Sequence, residues 1–326
     1  MKLRALAMIA GVLMAGSLSS QTLTDVINEF NEGVSKINSQ EYESSLEHFN
    51  QVLAMAEVVG DSASDLKIKA QEQIPLAYYR QATLFLKRKQ YDNAIPNLEK
   101  TIELSAQYNN NEESSQKATR YLMQSYMVEG QQNLKNKSYD ASLEMFNKAL
   151  NMNPDLYQAH QGKGMVYLSQ DEPEMMLSEF NMAKEGAASN GKQDVVDEIN
   201  GVIDSYYNKF IMEEMEMVDP EENDYTYVIE ACEKALAANP GNPRALYHMA
   251  LIKNKEVEYD AAIDYALQAL ENESEAVWIS AINFELGSAY QNTVEYEKAC
   301  QALQNVMEEP FLSRAERKME SIPGCN

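Results

Sequence analysis

Glycine and proline are scarce in this chain, 13 and 9 in 326 residues. Helix interiors exclude both, so the shortage argues against a turn-rich β architecture and for helices. Cysteine is rarer still: Cys232, Cys300 and Cys325 are too few and too scattered for a disulfide framework or a cysteine zinc site. Basic residues are outnumbered 27 to 51, for a net charge of -24. Such a surface repels phosphate backbones and anionic headgroups, which disfavours nucleic acid and membrane surfaces and suits a soluble chain or a cationic partner. Beyond the first 20 residues no apolar run approaches the roughly 20 residues that span a bilayer, so no direct membrane insertion is expected. Hydrophobic residues still make up 44%, enough for a sizeable core.

The first 20 residues read as a cleavable secretory signal. Lys2 and Arg4 form a short basic region, residues 5–16 are uncharged and mostly apolar, and Ser17, Ser19 and Ser20 precede Gln21. No cysteine follows to carry a lipid anchor. The expectation is an exported protein, periplasmic or secreted, soluble after cleavage and starting near Gln21.

Motifs of chemistry are missing as well. His48, His160 and His248 are far apart and none belongs to a His-Glu-x-x-His arrangement. There is no Gly-rich phosphate loop, nucleophile elbow or Cys-x-x-Cys. No catalytic residue, cofactor or metal is expected, and each histidine reads as structural. The acidic run from Glu213 to Asp224, which includes Glu221 and Glu222, lacks the Asp-x-Asp-x-Asp-Gly order of a calcium loop and reads as a solvated turn between helices. Asp61-Ser62-Ala63 resembles a tripeptide that some Gram-negative bacteria O-glycosylate; the simpler reading is a turn with a serine cap.

What is there is a repeat. A tyrosine, then a small residue three positions on, an aliphatic one, and a bulky apolar one make a recurring phrase: Tyr42, Ser45, Leu46, Phe49; Tyr91, Ala94, Ile95, Leu98; Tyr139, Ser142, Leu143, Phe146; Tyr259, Ala262, Ile263, Ala266; and Tyr296, Ala299, Cys300, Leu303. Weaker copies begin at Pro173 and Tyr225. Twelve residues before the small position comes another, at Gly33, Ala82, Gly130, Gly164, Ala250 and Gly287. Two helices approach closely only where one side chain is nearly absent, so these residues mark a helix–helix contact. Asn153-Pro154 and Asn239-Pro240 close units, because proline cannot continue a helix.

These residues resemble the tetratricopeptide repeat, a helix–turn–helix unit of 34 residues, and cover nearly all of 24–310. The resemblance implies an all-α fold, an α-solenoid of about seven such repeats over 21–310 with a C-terminal capping helix and tail over 311–326. The spacing departs from strict periodicity, with steps of 49 and 48 residues from Tyr42 to Tyr91 to Tyr139 and 52 from Pro173 to Tyr225. Long helices absorb the excess: 61–88, 112–137 and 193–217, with Ser or Asn near their starts as caps. Tyr78, Tyr126, His160 and Leu246 stand where the family usually places tryptophan. Phe311, Ala315 and Met319 fall on one face of the cap, with charges on the others. Cys300 precedes that cap and Cys325 follows it; a bridge between them needs Cα atoms within about 7 Å. Cys232 takes a core position.

The resemblance also implies a binding face lined by the first helix of each repeat. Carried onto this chain, its residues are Tyr79, Thr83 and Leu86, then Met127, Gln131 and Leu134, then Gln161, Met165 and Leu168, and last Tyr247, Leu251 and Lys255. The mixture of aromatic, thioether and amide suits an extended peptide or a partner helix. The expected function is non-catalytic recognition of a protein or peptide, a basic one fitting the acidic surface. An envelope-associated assembly factor or a component of a carbohydrate-linked complex is the other reading.

Overall fold

The computed structural model describes residues 21–219 and 223–325. The leader and the Glu221–Glu222 part of the acidic run lie outside the described residues. The chain divides into two compact units, 1–154 and 155–326, and among the described residues there is no strand.

In the first unit six helices form three hairpins: α1 (Leu23–Asn38) with α2 (Tyr42–Val59), α3 (Ser64–Lys87) with α4 (Tyr91–Tyr108), and α5 (Glu112–Lys135) with α6 (Tyr139–Met152). Successive hairpins stack, α2 on α3 and α4 on α5, and the first helices also touch, α1 with α3 and α3 with α5. The second unit holds four hairpins: α7 (Tyr157–Gln170) with α8 (Pro173–Ser189), α9 (Gln193–Met217) with α10 (Thr226–Ala238), α11 (Pro243–Lys255) with α12 (Tyr259–Asn272), and α13 (Ala276–Asn292) with α14 (Tyr296–Gln304). A short helix, α15 (Leu312–Met319), follows. Here too first helices touch, α9 with α11 and α11 with α13. Among the described residues no helix is long and apolar enough to cross a membrane.

Two local rules build the hairpins. The first is steric. A Cβ added to Gly33 would stand 2.8 Å from the Phe49 ring, at Gly130 2.7 Å from Phe146, and at Gly287 2.6 Å from Leu303; Gly164 faces Phe180 more closely still. The partners are always sixteen residues apart, and equivalent positions hold Ala82 with Leu98 and Ala250 with Ala266, all buried. The second rule is the turn. Gln40, Lys89, Lys137, Asp171, Val257 and Val294 all have φ between 57° and 67°, each two residues before the second helix. The next N–H then bonds back five residues, as Glu41 to Lys36 at 2.9 Å, Gln90 to Phe85 at 3.0 Å and Glu258 to Lys253 at 2.9 Å. This closes the helix with its last carbonyls satisfied.

The fifth hairpin breaks both rules. No small residue stands sixteen before Cys232, and residues 218–225 replace the two- or three-residue turn. The acidic run is correspondingly not all turn: Glu213, Glu214 and Glu216 belong to α9. The long helices fall where the long steps require them, at 24, 24 and 25 residues, but not with the expected caps. Residues 60–63 form a 3₁₀ turn before α3, with Ser62 exposed, and α3, α5 and α9 have no side-chain cap. Asn111 is spent elsewhere, donating from Nδ2 to Glu72 O at 2.7 Å, while Asn110 Nδ2 donates to Gln71 O at 3.2 Å. Pro75 lies inside α3 and has no N–H for the Gln71 carbonyl, so Asn110 supplies the missing donor.

At the end of the chain α15 buries Ala315 beside Phe284 and Leu303, with Phe311 and Met319 packed around it. Cys300 and Cys325 form a disulfide with Cα atoms 5.4 Å apart, tying the tail to α14. Cys232 is fully buried, and burial pushes its thiol up to about 12.

Two outcomes follow from the hairpin rules. Gly130→Ala must displace the Phe146 ring and should lower the opening free energy of α5 and α6 by about 1–3 kcal/mol in hydrogen exchange. Adding Phe146→Leu recreates the Ala82–Leu98 combination and should recover part of the loss; strictly additive effects would contradict the steric account. Val257 and Val294 are β-branched residues in the left-handed region, 65% and 66% exposed. Replacing either by glycine should raise stability by about 0.5–1 kcal/mol, the relief of strain exceeding the added unfolded-state entropy. A lower melting temperature would show that the valine side chain makes a needed contact.

Candidate functional site

In the first unit the sequence-derived face lies on α3 and α5. Tyr79, Thr83 and Leu86 are half-buried on α3, as is Met127 on α5, while Gln131 is exposed. Leu134 is half-buried beyond it. Tyr79 is already engaged: its ring stacks on Tyr121 of α5 at 6.4 Å and 21°, and burial raises its phenol above the ordinary value. Thr83 donates to the Arg80 carbonyl at 2.8 Å within its own helix.

In the second unit Gln161 and Met165 lie half-buried on α7. Gln161 Nε2 reaches Glu198 Oε1 of α9 at 3.4 Å; Met165 and Leu168 pack on the core formed by Phe180 and Ile203. Tyr247 does not stand open on α11. It is 5% exposed, packed edge-on to Trp278 at 5.3 Å and to His248 at 4.9 Å, and burial pushes its phenol up. Leu251 is half-buried between the same cores. Exposed Lys255 stands over the Tyr225 ring at 5.4 Å. Tyr247 therefore serves as packing between hairpins and offers no free ring to a partner.

One open feature among the described residues is a cleft of about 350 Å³ among the first helices α9, α11 and α13. Ile211 and Met212 give it an apolar side, with Ser205 and Asn208 above them on α9. Arg244 and His248 come from α11, one turn apart, and Trp278 closes it from α13. Position is set by the Asn-Pro-Gly-Asn-Pro turn before α11. Asn242 Oδ1 caps that helix, accepting from Arg244 N and Ala245 N at 3.0 Å, while its Nδ2 donates to Asn208 Oδ1 at 3.0 Å. Asn239 Nδ2 donates to Asp204 Oδ1 at 2.8 Å. Both contacts fix the turn between α10 and α11 against α9.

The cleft's polar groups have spare capacity. Arg244 stacks its guanidinium 3.9 Å from the Trp278 ring centroid, and its charge is balanced by Glu275 at 2.8 Å and by Glu273 at 2.9 Å, the latter at an angle too oblique for a hydrogen bond. With Oδ1 occupied, Asn208 keeps its NH₂ group for another acceptor. His248 is 5% exposed, yet neither ring nitrogen has a hydrogen-bond partner. Burial first, and Arg244 second, hold its pKa at about 4, so at neutral pH the ring is uncharged, with one donor and one acceptor. The other two histidines are satisfied: His48 Nδ1 lies 2.6 Å from Glu29, and His160 Nδ1 2.7 Å from Glu179, which also meets Lys163 at 2.6 Å.

Sequence reasoning passed over His248, Arg244, Asn208 and Trp278. One signal was available: Trp278 is the single tryptophan in a chain of 19 tyrosines. It lies nine residues before Gly287, five earlier than the position where the family's usual tryptophan was sought.

A tetratricopeptide-repeat family model matches residues 76–108, which hold most of the α3–α4 hairpin. Similar solved structures include the TPR2AB domain of yeast Sti1 in its pHSP90 complex, 14% identical, covering 91% of this chain and 96% of that one at a TM-score of 0.37. The C-terminal part of a TPR repeat-containing protein from Cytophaga hutchinsonii is 14% identical and covers 88% and 98% at 0.36. YrrB, described as a TPR protein with an unusual peptide-binding site, is 17% identical and covers 60% and 91% at 0.29. No curated protein sequence matches the chain.

The buried neutral histidine makes acid stability a test of the cleft. Unfolded, the imidazole titrates near 6.5; folded, at about 4. Between those values the unfolded chain binds a proton that the folded chain does not. The contribution is therefore complete above about pH 6.5 and lost as pH falls towards 4, on the order of 3 kcal/mol. His248→Gln should flatten that part of the pH–stability curve, and the His248 ring resonance should titrate near 4 by NMR. An ordinary titration near 6.5 would show the ring to be solvated or paired.

Proposed function

We propose that this chain, a tetratricopeptide-repeat protein, is a non-catalytic scaffold that binds a protein or peptide along the first-helix face of its hairpins, with the Trp278 cleft gripping the backbone of the bound segment. The observation that carries this reading is the pair of buried, unpartnered ring nitrogens of His248, a residue that lines the cleft. A buried polar group without a partner costs about 1–3 kcal/mol, and an incoming group that satisfies it recovers that cost. A peptide amide offers one donor and one acceptor, the complement of a neutral imidazole, and the Asn208 NH₂ supplies a second donor to a neighbouring carbonyl. Ile211, Met212 and Trp278 give the segment an apolar bed. The Arg244 charge is already balanced by Glu273 and Glu275, so the cleft selects an uncharged stretch of chain. In the first unit the Tyr79–Tyr121 stack and Met127 supply an apolar surface of the same kind.

Location belongs to the same proposal. Residues 1–20 support export, so the partner is sought in the periplasm or outside the cell. The net charge of -24 favours a partner whose flanking regions are basic, since opposite charge speeds encounter and disfavours wrong partners.

Crosslinking in native cells, followed by partner identification, comes first. Calorimetry with that partner should then show Asn208→Ala and His248→Ala weakening binding by about 1–3 kcal/mol each, with circular dichroism unchanged. Association should slow as salt rises. Normal binding by both variants would place the interaction elsewhere on the chain.

A further inference from the structure

The fifth hairpin carries a second and larger cavity, about 570 Å³, which shares no lining residue with the Trp278 cleft. It exists because that hairpin breaks the packing rule. In six hairpins a glycine or alanine lets the second helix close onto the first. Here no small residue stands in register, and Gly201 of α9 faces nothing within 4 Å. The space left among α8, α9 and α10 has Leu177 and Ala231 in its lining.

Aromatic rings wall it: Tyr206, Tyr207 and Phe210 from α9 and Tyr227 from α10. Three of them hold each other in place. Tyr206 packs edge-on to Tyr207 at 5.1 Å and 88°, and to Phe210 at 5.1 Å and 69°. The Tyr206 hydroxyl also donates to Asp171 Oδ1 at 2.9 Å. Tyr227 is 67% exposed, a large apolar ring on an acidic surface. Charge is equally one-sided. Glu174, Glu214 and Glu230 line the cavity with Lys234 as the one base among the lining residues, and none of these four appears in an ion pair among the described residues.

We infer that this cavity binds an organic cation, an ammonium or guanidinium group held against the ring faces with the three glutamates as counter-charges. Ring faces are the negative pole of an aromatic quadrupole and attract a cation within about 6 Å of the centroid. The chain already uses one ring this way, since Lys209 Nζ stands 5.9 Å from the Phe210 centroid without lining the cavity. The volume lies in the range of small-ligand sites, roughly 300–1,000 Å³. An anion would meet three carboxylates. A neutral apolar group would leave those carboxylates crowded without counter-charge. Two sources can bring the cation, a Lys or Arg side chain on a basic protein segment or a free small amine.

The test is a titration of the full chain, followed by tyrosine and phenylalanine ring resonances. The probes are a blocked pentapeptide with a central lysine, free tetramethylammonium, and a blocked pentapeptide with norleucine in place of lysine. Wild type should bind at least one cation, while norleucine leaves the rings unmoved. Tyr227→Ala, at an exposed position that cannot unfold the core, should raise Kd about fivefold or more. Glu214→Gln with Glu230→Gln should raise it further and remove most of its salt dependence. Lys234→Ala should lower it. Tighter binding of the lysine peptide assigns a protein-borne cation, and tighter binding of tetramethylammonium a free amine; both support the site. Equal binding of norleucine, no response to either cation, or indifference to Lys234→Ala overturns it. Asn208→Ala should leave cation binding untouched, so failure here and failure of the backbone-gripping cleft are read separately.

Discussion

One contact governs the hairpins: a nearly absent side chain on the first helix against a large one sixteen residues later. The two positions trade volume. Glycine faces phenylalanine at three hairpins, glycine faces leucine at Gly287–Leu303, and Ala250 faces Ala266. Interiors pack as densely as organic crystals, so the helix separation cannot drift to suit any side chain; the residues are fitted to the separation. The left-handed residue is part of the same constraint. A chain reversal in two or three residues, with the first helix's last carbonyls satisfied, needs one positive φ. That the position is met by Gln, Lys, Asp and even Val shows how firmly the packing on either side dictates the turn.

Because the close contact sits at a fixed distance from the turn, length can change only at the far ends. This explains the irregular spacing. α2 and α4 run to 18 residues and pack on α3 and α5, which run to 24; α8, at 17, packs on α9, at 25. Where second helices fall to 13 or 14 residues, as in α10 and α6, no such extension is needed. The extra turns are solved in pairs, the end of one hairpin matched to the start of the next. Polar partners between paired helices follow geometry in the same way. Glu29 with His48, and His160 with Glu179, are the same two positions nineteen residues apart with acid and base exchanged.

These regularities decide what could be read from the sequence. The hairpins were legible because their contacts are local: tyrosine, small residue and bulky residue recur at fixed offsets, and the phrase needs no knowledge of the rest of the chain. The cleft was not. It requires three first helices, α9, α11 and α13, to meet, and α13 to begin early enough to bring Trp278 over Arg244. Neither event has a fixed offset. The choice of Tyr247 over His248 shows the difficulty most clearly. Residues 245–250 of α11 are all buried, so the helix has no exposed stripe and the apolar pattern gives no phase. Bulk then favours the tyrosine, whereas the residue facing the cleft is its neighbour, about 100° round the helix. The caps misled for a related reason. Asn110 and Asn111 look like helix-start signals, but their amides go to carbonyls of α3, Asn110 to the one that Pro75 leaves without a donor, a long-range debt that no cap rule contains.

The charge distribution separates two tasks. Across the surface acidic residues dominate, and they act at a distance, through steering that salt weakens. Within the cleft the one charged lining residue, Arg244, is already paired with two glutamates, and burial keeps His248 neutral near pH 7. A cleft without an unpaired cation can discriminate by hydrogen-bond pattern, since a group that leaves the imidazole nitrogens unsatisfied gains nothing by entering. Protonating that ring would replace its acceptor with a second donor beside Arg244, so acid conditions should weaken the grip before they unfold the chain. The cleft can therefore read backbone while the surface reads charge, and affinity for a basic partner need not rest on any single ion pair.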